Sequence, residues 1–267
     1  MNQMNSVTSM LDASAEPGLR DTVHLLIGGG GGIGACLARA LNARGAKVCL
    51  AGRNREKADP VTGEFDCHWS EVDATDEKSV QRCIDAAREW GSRLDGIVNC
   101  AGSILLKPAH LTTMKEFEDV VSTNLRTAFV ATKAAAKALR EKGGSVVLMS
   151  SAAAQIGLAN HEAIAAAKAG VEGLVRSAAA TYAANGIRFN AIAPGLVDTP
   201  LSEKITSNEN ALKASTAMHP IGRIGRPEDL AEAICWLLSP SNSWVTGQII
   251  GIDGGLATLK TSRVSRG

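Results

Sequence analysis

A chain of 267 residues is long enough for one large α/β domain or two small ones. Apolar residues make up 45% and charged residues 21%, the balance of a globular protein with a sizeable core. A net charge of +1 creates no field that would favour nucleic acid or an acidic membrane surface, so neither is expected as a partner.

Residues 1–20 are polar and lack the apolar run of a signal peptide, and predict a loosely attached extension. From there, short runs rich in Val, Ile and Leu alternate with amphipathic stretches. Strands are predicted over 22–28, 46–52, 65–72, 96–99, 145–150, 187–192 and 248–252. Helices are predicted over 33–44, 77–90, 113–142, 162–185 and 227–238, and Pro60 with Gly63 leaves room for only a very short helix in 54–64. Repeated β-α-β order implies right-handed crossovers and one α/β domain, 21–258: a doubly wound parallel sheet of about seven strands with helices on both faces, a Rossmann fold. A tail, 259–267, follows. The stretch 196–220 has weak periodicity and reads as an irregular lid or substrate loop. No run of about 18 uncharged apolar residues predicts a membrane span. The six cysteines form no Cys-x-x-Cys pair, which suits reduced thiols in a cytoplasmic protein rather than a disulfide framework or zinc site.

The first predicted strand runs into Gly28-Gly29-Gly30-Gly31-Gly32-Ile33-Gly34 and then a helix. Glycines allow close backbone approach, and a helix N-terminus aims free N–H groups at an anion, so this turn suits a pyrophosphate. The second strand ends in Gly52-Arg53, with no carboxylate to accept hydrogen bonds from ribose hydroxyls. A guanidinium there suits a ribose 2′-phosphate and favours NADP(H) over NAD(H), the alternative being a solvated arginine. The histidines His24, His68, His110 and His219 show no ligand spacing, so no metal is expected. Cys100 reads as a buried filler rather than a nucleophile.

Seven segments in order resemble the short-chain dehydrogenase/reductase family. Gly28, Gly32 and Gly34 match its Gly-x-x-x-Gly-x-Gly, with Ile27 where Thr or Ser usually stands. Asp73-Ala74, Asn99-Cys100-Ala101-Gly102, Asn124, and Asn190 to Thr199 resemble its adenine, turn, helix-asparagine and Pro-Gly segments. Arg226 to Ala231 and Gly247 to Gly255 resemble its closing helix and strand, and Ser151 with Lys168 keeps its active-site spacing. The resemblance implies a cofactor lined by Gly28, Gly30, Gly31, Gly32, Ile33, Gly34, Arg53, Asp73, Ala74, Asn99, Ala101, Gly102, Lys168, Pro194, Gly195, Val197 and Thr199. It implies a small-molecule substrate, activity like that of 3-oxoacyl carrier-protein reductases, and a homo-oligomer, dimer or tetramer, built on the helices bearing Asn124 and Lys168.

In that family a tyrosine thirteen residues after the serine protonates the carbonyl oxygen; here the position is Ile164, and the single tyrosine, Tyr182, lies several helical turns beyond. Hydride addition makes an oxyanion that must be protonated or stabilised in place, and a hydrocarbon does neither. Ser151, Lys168 and Asn124 remain as catalytic candidates. Three groups compete to supply the proton: His161 along the same helical face, Lys168 through water, and Ser150, which strand alternation turns away from Ser151. Reduction of a conjugated C=C, whose enolate is easier to hold, is a variant. A cofactor-binding subunit that performs no turnover, acting as sensor or oligomer partner, stands against both.

Overall fold

The computed structural model describes residues 18–260. Most of the expected N-terminal extension and all but two residues of the expected tail lie outside the described residues. Seven strands form one parallel sheet in the order β3-β2-β1-β4-β5-β6-β7. They are β1 Val23–Ile27, β2 Lys47–Gly52, β3 Cys67–Glu71, β4 Gly96–Asn99, β5 Gly144–Met149, β6 Ile187–Pro194 and β7 Ile249–Ile252. The helices are α1 Gly32–Ala43, α2 Asp59–Thr62, α3 Glu77–Gly91, α4 Met114–Val121, α5 Thr127–Ala138, α6 Glu162–Tyr182, α7 Glu203–Thr206, α8 Glu209–Met218 and α9 Pro227–Leu238.

Every residue of β1 and β4 is buried, because helices cover both faces of the sheet. Alternate strand residues feed two separate cores. Leu25, Ile27, Ile97, Val146, Leu148 and Phe189 meet α3, α5 and α6 on one face. Leu26, Val48, Leu50, Val98 and Val147 meet Leu37 and Leu41 of α1 and Leu230 and Ile234 of α9 on the other. The alanines of α5 let that helix lie close, with Ala128, Ala131, Ala134 and Ala135 all in the first core. The chain leaves β1 in one direction and returns to β4 on its other side, so a crevice opens at the carboxyl ends of these two strands.

Two expectations need correcting. The helix predicted over 113–142 is interrupted: a π-helical turn, Ser122–Arg126, separates α4 from α5, and the second helix ends at Ala138. An inserted residue of this kind widens the turn and re-aims the side chain within it, here Asn124. The stretch 196–220 is not irregular. It contains α7 and α8, the latter capped by Asn208, whose side chain accepts from the Ala211 N–H at 2.9 Å. The helix predicted over 162–185 finishes as a 3-10 turn, Ala183–Asn185, and 54–64 holds only the four-residue α2, as Pro60 predicts. Among the described residues, no helix is long and apolar enough to cross a membrane.

Candidate functional site

The glycine turn joins β1 to α1 at the mouth of the crevice. Gly28 has φ +80°, and a Cβ there would lie 2.9 Å from the Ala101 nitrogen, so turn and Asn99–Gly102 segment touch only because the side chain is absent. Gly34 is held as tightly, since a Cβ would meet the Gly28 oxygen at 2.6 Å. Gly31 sits at the N-cap of α1 with no side-chain cap. Gly31 N–H donates to Gly28 O, whereas the N–H groups of Gly30, Gly32, Ile33 and Gly34 have no hydrogen-bond partner among the described residues. Four unused donors converging at a helix start, in a cradle that side chains would fill, fit the pyrophosphate of a dinucleotide. Thr199, after β6, lies against Gly32, where a Cβ would come within 2.9 Å of it.

The residues expected at the adenosine end lie past β2 and β3. Arg53 makes no hydrogen bond or ion pair with the described residues, and it lines an open cavity of about 380 Å³ with Asn54, Arg55, Glu56, Trp69 and Glu71. Asp73 accepts from both the N–H and hydroxyl of Thr75, at 2.9 and 2.7 Å, which holds its carboxyl below the usual range. Arg126, from the π-helical turn, donates to Thr75 O and so ties this loop to the helix that carries Asn124. Ala74 packs against the first core. Asn99 is buried, its Oδ1 accepting the Ala101 N–H at 3.2 Å and its amide donating to Thr127 Oγ1 at 3.3 Å.

Asn124, Lys168 and Gly102 converge at the centre. A Cβ on Gly102 would lie 3.1 Å from Asn124 Oδ1 and 3.7 Å from Lys168 Nζ. Asn124 is 1% exposed and fully engaged, donating to Val120 O and Ser103 Oγ while accepting from Ser103 N–H. Lys168 Nζ donates to Met149 O at 2.8 Å, and burial lowers its pKa to about 8. Ser151 accepts from Ala153 N–H at 3.2 Å, and its own O–H donates to none of the described residues. Ser150 points the other way, donating to Glu172 Oε1 at 2.9 Å. Gln155 donates to the same oxygen at 3.1 Å, so the loop after Ser151 is bound to α6.

Ile164 is buried in a small apolar cluster with Val120, Ala163 and Ala167, flanked by Leu105, Phe117, Val121 and Leu125. His161 stands at the N-cap of α6 with Nδ1 held 2.7 Å from Ala159 O, and Nε2 makes no hydrogen bond with the described residues. Pro194 ends β6, Gly195 follows, and Val197 bridges to Gly225. Sequence reasoning missed His219 here. Its buried ring accepts the Leu196 N–H at Nε2, 3.1 Å, and sits 2.7 Å from Ser215 O through Nδ1, fixing the Nδ1–H tautomer. It thus ties α8 to the segment lining the crevice, and a Cβ on Gly195 would lie 2.5 Å from His219 Nε2. Ser103, the partner of Asn124, was also missed; no spacing marks either residue.

A sequence profile described as Enoyl-(Acyl carrier protein) reductase matches residues 28–257. The chain is 42% identical over 247 residues to the cis-4-hydroxycyclohexanecarboxylate dehydrogenase of Sinomonas cyclohexanicum, covering 90% of this chain and 98% of that protein. It is 34% identical over 246 residues to a 3-oxoacyl-acyl-carrier-protein reductase of Thermotoga maritima, covering 89% and 98%. The crystal structure of a levodione reductase superposes with a TM-score of 0.85 at 34% identity, covering 90% of this chain and 99% of that one.

Proposed function

The chain belongs to the short-chain dehydrogenase/reductase family, and from that premise we propose that it is an NADP(H)-dependent oxidoreductase reducing a carbonyl without a phenol. The observation that carries this reading is the convergence of Lys168 and Asn124 under Gly102, beside a helix start with four unused N–H donors. A pure scaffold needs the donors but not the buried polar pair. The bound cofactor supplies the hydride. The phosphate end is held by Gly30, Gly32, Ile33 and Gly34, the 2′-phosphate by Arg53, and the nicotinamide side by Pro194, Gly195, Val197 and Thr199. Ser151, its O–H free, donates to the substrate oxygen as negative charge develops. Lys168 is the proton source, through water: with a pKa near 8 it holds a proton at neutral pH and releases it readily. The names of the cyclohexanecarboxylate and 3-oxoacyl relatives support a ketone or secondary alcohol as the reacting group.

A second reading is favoured by Ile164, whose hydrocarbon surroundings put no acid at that point of the wall. Reduction of a conjugated C=C passes through a delocalised enolate that Ser151 can hold without immediate protonation, and the enoyl-reductase profile is consistent with it. A homo-oligomer is supported by Phe129, 54% exposed, which lines an apolar groove with Val121, Leu125 and Leu174 on α4–α6 and the intervening π-helical turn.

The test is NADPH oxidation against a panel of cyclic ketones, 3-oxoacyl thioesters and enones, with Ser151→Ala and His161→Ala alongside. Loss of the hydroxyl is expected to cost about 10²–10³ in kcat, while the histidine change leaves the rate unaltered. A large loss in His161→Ala would transfer the proton donor to His161. Tight NADPH binding with no turnover of any substrate would leave the cofactor-binding subunit as the remaining reading.

A further inference from the structure

At the adenosine end, the register of β2 and β3 pairs Leu50 with Trp69 and Gly52 with Glu71. The indole of Trp69 reaches over the strand end. A Cβ built on Gly52 would lie 2.9 Å from its Cη2 and 3.6 Å from its Cζ3. Trp69 is half-buried and packs against the second core, so displacing the ring also disturbs that core. The same indole lines a cavity with Arg53, which makes no hydrogen bond or ion pair with the described residues.

We propose that Trp69 is a coenzyme-specificity residue: its indole fills the space that a ribose-binding carboxylate at position 52 would need, and lines the 2′-phosphate pocket together with Arg53. This rests on the NADP(H) reading above. An acidic side chain at position 52 accepts from ribose hydroxyls only if it can turn toward them, and here an aromatic edge stands where its Cβ would begin. Selectivity is therefore set by a pair on adjacent strands, Gly52 and Trp69, and Arg53 adds the attraction for the phosphate. Glu56 and Glu71 line the same cavity and oppose that attraction. Arg55 is already 3.5 Å from Asp59, so Arg53 is the guanidinium left for the ligand, and Glu56 and Glu71 set an upper bound on its advantage.

The test is a binding cycle, independent of turnover. NADPH, NADH, adenosine 2′,5′-bisphosphate and AMP are titrated calorimetrically into the full chain and into Gly52→Asp, Trp69→Leu and the double variant. Wild type is expected to prefer NADPH and the bisphosphate. Gly52→Asp alone is expected to weaken both coenzymes without gain for NADH. Adding Trp69→Leu is expected to recover NADH binding by about tenfold or more over that single variant, a coupling of the size seen between contacting residues. Melting of Gly52→Ala with and without Trp69→Leu gives a second cycle for the case where an aspartate variant does not fold: the methyl alone is expected to lower Tm, and the smaller leucine to recover it. If Gly52→Asp gains NADH as much with Trp69 present as without it, or the Tm effects simply add, the indole is not the obstacle and the proposal is overturned. A wild type that binds NADH as well as NADPH overturns the NADP(H) reading instead, a result the 52–69 cycle does not depend on.

Discussion

Replacing Ile164 by tyrosine tests whether the site lacks only an acid. Position 164 lies one helical turn before Lys168, so a phenol placed there shares a face of α6 with the ammonium. A positioned general acid contributes about 10²–10⁴ in rate, which is about 3–5 kcal/mol of barrier. The gain has a structural cost. Ile164 packs among Val120, Ala163 and Ala167 with Leu105 and Phe117 alongside, and a larger ring in that cluster overpacks by about 1–3 kcal/mol. For a domain of this size that is a Tm lower by about 2–12 °C. The assay is steady-state NADPH oxidation with the ketone panel at 25 °C, a temperature well below the melt, with NADPH affinity measured in parallel. A rise of two or more decades in kcat with affinity unchanged is expected. A folded variant that binds NADPH normally and shows no acceleration on any ketone would refute the claim that Ser151, Lys168 and the nicotinamide side are already in register.

Four further outcomes follow from the geometry. Gly34→Ala puts a methyl 2.6 Å from Gly28 O and 2.8 Å from Gly29 Cα, backbone atoms that cannot swing aside; calorimetry is expected to show NADPH binding weakened by tenfold or more, with about 1–3 kcal/mol of stability lost. Lys168 has a folded pKa, about 8, below its ordinary 10.5, so the unfolded chain binds the extra proton between those values and stability rises with pH across that window. Denaturant midpoints are expected to show about 3 kcal/mol of this rise in wild type and none of it in Lys168→Met. His24, buried beside Thr22, is pushed down to about 4 mainly by burial, against an opposing pull from Asp95. The unfolded chain takes up its proton from pH 6.5 downward, so about 3 kcal/mol is expected to be lost as pH falls from 6.5 to 4, a loss that His24→Gln removes. His219→Ala leaves the Leu196 N–H without its acceptor, a cost of about 1–3 kcal/mol, and amide exchange is expected to quicken at Leu196 and across Glu209–Met218.

The strands were legible because burial on both faces imposes an unbroken apolar run, a constraint written directly into Val23–Ile27 and Gly96–Asn99. At β3, Cys67–Glu71, an edge strand alternating through His68 and Ser70, the boundary was the weaker for it. The π-helical turn escaped because one extra residue in a turn leaves the run of Val, Leu and Ala residues on either side intact; only the hydrogen-bond ladder records it. α8 escaped because its periodicity is weak, although its Asn208 cap was present to be read. The glycine turn was the clearest part of the site, since close backbone approach demands glycine at fixed places along one short segment. Contacts between distant segments were invisible: His219 with Leu196, and Trp69 with Gly52, leave no mark in spacing.

What the sequence could say of position 164 was only that its side chain cannot move a proton. The packing around it adds a physical consequence. Ile164 is not a truncation that leaves a water-filled gap, because Val120, Ala163 and Ala167 enclose it and Leu105 and Phe117 cover its flanks. A cavity there would invite water that could relay a proton directly, whereas a filled hydrocarbon wall excludes it. On the proposed reading the proton comes instead from Lys168, which donates to Met149 O and whose pKa burial lowers to about 8, or from His161 at the start of the same helix.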